Sequence, residues 1–258
     1  MPSLSLNLGL NNGRKLPFGS FDADAAAYFV TAGVTDATAK SQINAFVVGV
    51  KDLGLYSSMV CWPLRSSQNK GSGTIAYSLG GYGTYNGTLT GSASWSESGA
   101  VLPANATITA TVPYGTTSGS IIGVRQANSI NGAGKDYGLL KNGTSGFWAP
   151  YGDTSFYFDY PETTNRLNIS SGVTEGVIFF VAGYAGASGS KIYKNTTLLA
   201  SNATVAAILG STTSIISSAS AASQVTPFAM LLNTDASANH SNLYNLYKTT
   251  LGAGLELP

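Results

Sequence analysis

Paired carboxylates are the first side chains to consider, because hydrolysis of a glycosidic bond needs one carboxyl group as acid and another as nucleophile or base. On one strand such groups share a face when they alternate, as in Glu-x-Asp-x-Glu, and the sequence lacks this pattern. The nearest pairs are Asp22 with Asp24 and Asp159 with Glu162. The first pair suits helix capping, and the odd offset around Pro161 points the second pair apart. We therefore expect no catalytic residues.

His240 is the sole histidine, so any Ser-His-Asp triad would have to use it. The residue lies beside a predicted helix start, and no Gly-x-Ser-x-Gly elbow is present to expose a nucleophile. We interpret His240 as a surface or capping residue. No Gly-x-x-x-x-Gly-Lys-Ser/Thr motif occurs either, so nucleotide binding has no support. These patterns predict a protein that is not an enzyme.

Two aspartates are candidates for a calcium site, which takes carboxylate and carbonyl oxygens. Asp153 and Asp235 both lie in predicted loops. Each also suits an Asx turn, in which the carboxylate accepts a hydrogen bond from a backbone N–H two residues on. We expect no cofactor, with calcium as the open alternative. A zinc site is excluded, because the single histidine and the single cysteine, Cys61, supply too few ligands.

Two groups of aromatic residues have the character of a sugar-binding surface, which needs exposed rings and hydrogen-bonding groups on loops. Tyr82 and Tyr85 lie in the glycine-rich segment GGYGTYNG, and Phe147, Trp148 and Tyr151 lie around a proline. The candidate glycan-binding residues are Tyr82, Tyr85, Trp148 and Tyr151. Either group can instead cover the end of the protein core or pack on a neighbouring subunit. The usual burial of aromatic rings favours this packing alternative.

Charge is scarce in this chain. Only 10% of its 258 residues are Asp, Glu, Lys or Arg, against roughly a quarter in a typical domain, and the net charge is +1. No basic cluster exceeds Arg14-Lys15, whereas nucleic-acid binding needs Lys and Arg concentrated on one face. The longest strongly apolar stretch, 177–182, is far too short to cross a membrane. The N-terminus has no secretory signal pattern, so we expect a globular protein made in a cytoplasm, with no nucleic-acid or membrane partner.

The elements that position these residues begin with a predicted helical segment over residues 21–65. Asp22 is the expected N-cap of a first helix that Gly33 ends. A second helix begins at Thr35 or Asp36, and its apolar residues recur at helical spacing. That stripe consists of Ala39, Ile43, Phe46, Val47 and Val50. Helices this short are unstable alone, so their apolar faces must pack on each other and on a larger domain.

After a polar connector over 65–73, strand and turn patterns replace helical ones. Residues 107–112 alternate with period two, and 155–160 alternate large aromatic with smaller or polar side chains. The stretch 177–181 is apolar on both faces, as in a central strand. Residues 191–199 predict a tight hairpin with Asn-Thr at its turn. No long helix intervenes until the C-terminal region, which excludes a parallel βαβ fold and favours a sandwich or jelly roll.

The two ends of the chain carry further elements. Residues 1–20 alternate weakly and suit an extended arm, which must pair either with this chain's own sheet or with another subunit. Ser241 is the expected cap of a closing helix, with Lys248 in its last turn and Gly252 as its stop. The predicted organisation is mainly β: an arm over 1–20, a helical segment over 21–65, and an antiparallel β-sandwich over 74–258 that ends in a short helix.

Three parts of the sequence carry a resemblance to a known family. They are TDATAKSQINAFVVGVKDLG (35–54), LTGSASWSESGAVL (89–102), and the hairpin KIYKNTTLLAS (191–201) with the later LYNLYKTTLG (243–252). In this order they resemble structural proteins of tailed-phage virions that carry a LamG-like, concanavalin A-like domain. The sequence departs from the usual hairpin turn, because the glycine of an Asn-Gly turn is missing.

The resemblance implies a concanavalin A-like jelly roll exposed on a phage particle, as a tail fibre or tip protein or as capsid decoration. It also implies docking to other virion proteins and a homo-oligomer, with a trimer favoured. Related sandwiches bind host surface glycans through loops at one edge. The expected location is therefore the virion, assembled in the host cytoplasm. A carbohydrate-binding lectin is the alternative function, and a glycoside hydrolase is the third.

Overall fold

The computed structural model describes residues 20–113, 118–130, 132–142, 145–159, 166–187, 189–203, 211–212 and 214–258. The predicted arm over residues 1–20 lies outside the described residues, apart from Ser20.

Short strands make up the body of the protein. In chain order they are β1 (Met59–Pro63), β2 (Ile75–Ala76), β3 (Gly87–Thr90), β4 (Ser94–Ser96), β5 (Gly99–Leu102), β6 (Thr107–Thr109), β7 (Val112–Pro113), β8 (Gly119–Ala127), β9 (Tyr137–Asn142), β10 (Ser145–Trp148), β11 (Ser155–Asp159), β12 (Leu167–Ser170), β13 (Ile178–Gly186), β14 (Gly189–Lys194), β15 (Thr197–Asn202), β16 (Ser211–Thr212), β17 (Ser214–Ser218) and β18 (Gln224–Leu232).

The strands form two large sheets. The first has the order β15-β14-β13-β8-β18-β5-β4, and β1 pairs with β18 along the edge that β5 also uses. The second has the order β12-β11-β10-β9-β17-β6-β3-β2, and β7 pairs with β16 in a separate ladder. Every strand pairing among the described residues is antiparallel. The expected antiparallel β-sandwich is confirmed.

Helices α1 (Ala23–Thr31) and α2 (Ala37–Asp52) lie where the sequence predicts them. The Asp22 side chain accepts a hydrogen bond from the Asp24 backbone N–H, and Asp36, not Thr35, caps α2 by accepting from Ala39. Gly33 follows α1 with a φ of 62°, a left-handed conformation that glycine adopts without strain. Among the described residues, no helix combines the length and the apolarity that a membrane span needs.

The third helix, α3 (His240–Thr249), begins earlier than predicted. A 3₁₀ turn over Ser237–Asn239 leads directly into it, so Ser241 is already inside the first turn and the expectation that it caps the helix is wrong. Asn239 holds the N-cap position without a side-chain capping hydrogen bond. Lys248 does lie in the last turn, where its charge complements the helix dipole.

The helical segment predicted over 21–65 ends sooner than expected. After a 3₁₀ turn over Tyr56–Ser58, the chain enters β1, which pairs with β18 over its whole length. The physical reason is that β1 is apolar on both faces: Met59 and Cys61 pack on the helix side of the first sheet, and Val60 and Trp62 pack between the sheets. The sandwich therefore includes residues well before 74.

Three layers result from this packing. In β13, Phe179 and Val181 face the core between the two sheets, whereas Phe180 and Ala182 face the helices. Strands β8 and β18 alternate in the same way, which explains why the predicted central strand is apolar on both faces. The predicted stripe of α2 is buried on this outer face, together with residues of α1 and α3. The outer face of the second sheet lies on the opposite side of the sandwich.

Candidate functional site

Three aromatic side chains meet on the outer face of the second sheet, where β10 pairs with β11. Trp148 and Tyr157 are opposite each other in the antiparallel register, and Tyr151 lies in the turn between the strands. The Tyr151 ring centroid is 5.8 Å from that of Trp148 and 5.3 Å from that of Tyr157, at interplanar angles of 80° and 74°. The Tyr151 side chain is 39% exposed. We call Trp148, Tyr151 and Tyr157 the aromatic corner.

A tight turn fixes the backbone of Tyr151. Its N–H donates to the Ser155 carbonyl at 2.8 Å, and its carbonyl accepts from the Thr154 N–H at 2.9 Å. Thr154 has a φ of 69°, and the Asp153 carboxylate accepts from the Ser155 N–H at 3.0 Å, which forms an Asx turn. These bonds fix the backbone position from which the exposed ring projects.

The buried Arg125 guanidinium supports the corner from inside the sandwich. It donates to the carbonyls of Tyr137 at 2.9 Å, Ala149 at 3.1 Å and Gly138 at 3.0 Å, and to the Gln224 side chain at 2.6 Å. Burial lowers the pKa of Arg125 to about 9, so the group is still cationic at neutral pH. Because Ala149 directly follows the β10 residue of the corner, Arg125 anchors the start of the turn.

Polar and charged groups surround the aromatic corner. The Tyr157 hydroxyl donates to Asp153, and the Arg166 guanidinium lies 4.6 Å from the Tyr157 ring centroid. Burial alone would raise the pKa of Asp153, but the hydrogen bonds from Tyr157 and Ser155 outweigh it and lower this pKa. The hydrogen bond between Tyr157 and Asp153 also raises the pKa of Tyr157. Exposed Asn168 lies opposite Tyr157 on β12.

The structure brings together some of the predicted glycan-binding residues and separates others. Trp148 and Tyr151 share the corner, but Phe147 is fully buried between the sheets. Tyr82 and Tyr85 lie between β2 and β3, at the other edge of the second sheet, with ring centroids 6.1 Å apart. Both are partly buried against the core, and the Tyr82 hydroxyl donates to the Pro113 carbonyl at 3.0 Å.

Sequence reasoning missed Tyr157, Arg166 and Asn168. The period-two pattern of 155–159 did contain a signal, because it places Tyr157 on the opposite face from the large aromatics on either side of it. Pairing residues 155–159 with the preceding strand would have placed Tyr157 beside Trp148. Asn168 comes beside Tyr157 only because β12 pairs with β11, and the sequence does not indicate that pairing.

The two calcium candidates lie apart and form Asx turns. Asp153 belongs to the β10–β11 turn of the second sheet, whereas Asp235 follows β18 of the first sheet. Asp235 accepts a hydrogen bond from the Ser237 N–H at 2.9 Å. In the part of the chain that the structure describes, no three His, Cys, Asp or Glu side chains converge as metal ligands. Cys61 is a buried free thiol.

The carboxylate pairs are engaged with cations. Lys51 bridges Asp22 and Asp24, with its Nζ 2.7 Å from Asp22 Oδ1. Asp159 is 1% exposed and pairs with both the Nε and an Nη of Arg166, at 2.7 and 2.9 Å. Glu162, its predicted companion, lies outside the described residues.

His240 is buried, so the expectation of a surface or capping residue is wrong. Its Nδ1 accepts from the Tyr184 hydroxyl at 2.8 Å, and its Nε2–H donates to the Asn195 carbonyl at 2.7 Å. Its ring stacks on Tyr193 with the centroids 3.9 Å apart. Burial lowers its pKa below the ordinary 6.5, although the hydrogen bond to the Asn195 carbonyl opposes this shift. The residue ties α3 to the β14–β15 hairpin.

That hairpin has the predicted turn. Lys194 pairs with Thr197, and Asn195 adopts a φ of 51°, which asparagine tolerates in place of the usual glycine.

A separate open cavity of about 360 Å³ lies at the C-terminal tail, on the helix side of the first sheet. No aromatic ring lines it, so it lacks the stacking surface of the aromatic corner. Its lining consists of Ser98, Gln126, Gly176, Val177, Ile178, Gly254, Leu255 and Glu256.

No protein-family model and no curated protein matches this sequence. Among solved structures, the chain is similar to the binding domain of botulinum neurotoxin DC in complex with SialylT, with a TM-score of 0.54 and 14% identity, covering 71% of this chain and 50% of that one. The botulinum neurotoxin serotype C1 binding domain has a TM-score of 0.50 and 14% identity, covering 74% and 52%. Trypanosoma rangeli sialidase in complex with 2,3-difluoro-KDN has a TM-score of 0.50 and 10% identity, covering 82% and 40%.

The chain therefore spans about half the length of these proteins, or less. At such low identity the likeness establishes the fold: a mainly β protein in which two antiparallel sheets form a sandwich.

Proposed function

We propose that the chain is a surface protein of a tailed-phage virion that binds a host glycan through the aromatic corner and catalyses no reaction. The observation that carries the binding part is the aromatic corner itself, with a ring that is 39% exposed at Tyr151 on a backbone fixed by hydrogen bonds. Aromatic residues with few rotatable bonds are effective contact residues, because holding them in place costs little conformational entropy.

The groups around the corner suit a sugar. The C–H face of a pyranose packs on an aromatic ring, and its hydroxyl groups need fixed donors and acceptors nearby. Asp153 and Asn168 supply an exposed carboxylate and an exposed amide beside Tyr157. The corner also lies on the sheet face that the helices leave open, since α1, α2 and α3 cover the first sheet. A long glycan can therefore reach it.

The virion part of the proposal rests on the resemblance of residues 35–54, 89–102, 191–201 and 243–252 to phage structural proteins. In this proposal the chain docks to other virion proteins as a homo-oligomer, with a trimer favoured, in a tail fibre, a tail tip or a capsid decoration layer. Quantitative mass spectrometry of purified particles separates these roles, because a tail protein is present in few copies and a capsid decoration in hundreds. A lectin that acts outside a particle would be absent from purified virions.

The proposed absence of catalysis is supported by the engaged carboxylates. A glycosidase needs two carboxyl groups that converge on one bond. Both members of the 22/24 pair contact Lys51, and Asp159 is buried against Arg166. Release of reducing ends from a bound polysaccharide by the purified protein would contradict this part of the proposal.

A glycan array with matched variants tests the binding site. We expect Tyr151→Ala to weaken binding about 30-fold, since truncating an aromatic residue at the centre of a contact costs about 2 kcal/mol. Leu198→Ala is the control, because Leu198 is 47% exposed on β15 of the other sheet. Full binding by Tyr151→Ala, or no binding of any glycan by the folded wild-type protein, would contradict the proposal.

A further inference from the structure

Arg166, the one cation that the described residues place at the aromatic corner, is already neutralised. Arg166 directs two of its nitrogens at the Asp159 carboxylate, at 2.7 and 2.9 Å, in a bidentate pair. Asp159 is 1% exposed and cannot turn to another partner, so its charge stays with the guanidinium. Arg166 therefore contributes its flat stacking surface to the corner, and no net positive charge.

Asp153 adds a negative charge that is not balanced. Its carboxylate is exposed, and the described residues place no cation in ion-pair contact with it. The hydrogen bonds from Tyr157 and from the Ser155 backbone favour its charged form. The carboxylate is hence ionised at neutral pH and lies beside the aromatic rings.

The neighbouring loops do not change this balance. The 132–136 loop contacts the Tyr151 turn, since the Gly152 N–H donates to Asp136, and the same loop carries Lys135. On the other side, Lys194 donates to the Gly172 carbonyl and Glu175 accepts from a backbone N–H. The 132–136 loop thus brings one charge of each sign. On the other side Glu175 is matched by Lys194 of β14, so the described surroundings of the corner carry a net charge of about −1.

We propose that the aromatic corner takes a neutral sugar and rejects sugars that carry a carboxylate. The inference rests on the proposed glycan-binding function and names its ligand class. A carboxylated sugar stacked on Tyr151 would place a second negative charge near Asp153, and repulsion between like charges that end up unpaired is an established source of specificity. At a separation of about 4 to 6 Å, this repulsion weakens binding at least about threefold.

The experiment compares matched pairs of immobilised oligosaccharides, each neutral glycan beside its sialylated or uronic-acid-terminated counterpart. We expect the wild-type protein to bind the neutral member at least about threefold more tightly. Asp153→Asn retains an oxygen for the Asx turn and removes the charge, so the neutral-to-acidic preference should shrink. Asp52→Asn, an exposed carboxylate at the end of α2, is the control and should leave the preference unchanged.

The outcomes separate the two proposals. If the wild-type protein binds the acidic members equally or more tightly, and Tyr151→Ala loses this binding, the proposed preference for neutral sugars is overturned. The proposal of glycan binding at the corner would then remain intact. An unchanged preference in Asp153→Asn would also overturn it, since the charge would then not be the cause. Failure of the folded protein to bind any member of any pair would overturn the glycan-binding function itself. Added salt should reduce the preference, because exposed charges are screened.

Discussion

Replacing Arg125 with methionine removes a buried cation and leaves its acceptors in place. Methionine has a similar length and no polar donor, so the three carbonyls and the Gln224 oxygen that bind the guanidinium would lose this partner inside the sandwich. Losing a hydrogen bond from a charged donor is costly at a buried acceptor, because water cannot replace the lost bond.

Two opposing terms set the size of the effect. Hydrogen bonds from a charged donor contribute about 1.5 to 3 kcal/mol each, so the four bonds of Arg125 contribute roughly 6 to 12 kcal/mol together. Burying the charge opposes this and lowers the pKa of Arg125 to about 9, a shift that corresponds to about 5 kcal/mol. The difference between the two terms is roughly 1 to 7 kcal/mol, and we expect Arg125→Met to lower the free energy of unfolding by about 4 kcal/mol, the middle of that range.

Urea titration followed by tryptophan fluorescence measures this change as a shift in the midpoint at constant slope. In a thermal scan the melting temperature should fall by roughly 10 °C. Lys70→Met, at an exposed position, is the control and should change stability by less than about 0.5 kcal/mol. Because Arg125 anchors Ala149 at the start of the Tyr151 turn, the variant should also bind glycan more weakly. Equal or greater stability of Arg125→Met would refute the reasoning, since the burial cost would then exceed the value of the bonds.

Three further predictions concern other parts of the chain. Because burial lowers the pKa of His240 below 6.5, the unfolded chain binds a proton at a higher pH than the folded protein does. The free energy of unfolding should therefore be at its full value above pH 6.5 and fall below that pH by up to about 1.4 kcal/mol per pH unit. Urea titrations across this range check the decline, and its persistence in His240→Gln would contradict the assignment. Tyr82→Phe removes the hydrogen bond to Pro113 and should lower the free energy of unfolding by about 1 kcal/mol, while glycan binding stays at the wild-type level. A loss of glycan binding in this variant would indicate that the site lies at Tyr82 and not at the aromatic corner. Deleting residues 1–20 should leave a folded protein that no longer joins virions, and normal incorporation would remove the arm from the proposal.

Local signals explain what could be predicted of the fold. The aspartate caps, the apolar stripe of α2 and the hairpin turn at Asn195 each depend on residues close in sequence, so they could be recognised without knowing the rest of the chain. Strand β1 could not, because the run of apolar residues over 59–63 suits a buried helix or a buried strand equally. Its partner is β18, about 170 residues later, and only that pairing decides between them.

The same distinction between local and long-range contacts decides which residues of the candidate site could be predicted. Trp148 and Tyr151 are close in sequence, so their meeting could be predicted from residue type alone. Tyr157 required the register of β10 with β11, and Arg166 required the position of the following strand. His240 was misassigned because its partners, Tyr184 and Asn195, are 56 and 45 residues away.

The first sheet is apolar on both faces, and this limits how the protein can be divided. Without residues 23–52, strands β8, β13 and β18 would present side chains such as Ile122, Phe180 and Met230 to water. Extended strands with such a surface associate with one another. The sheet face that carries the aromatic corner therefore cannot be transplanted as an autonomous module made of the sandwich alone. Any fusion or chimaera that displays it must carry the two leading helices as well.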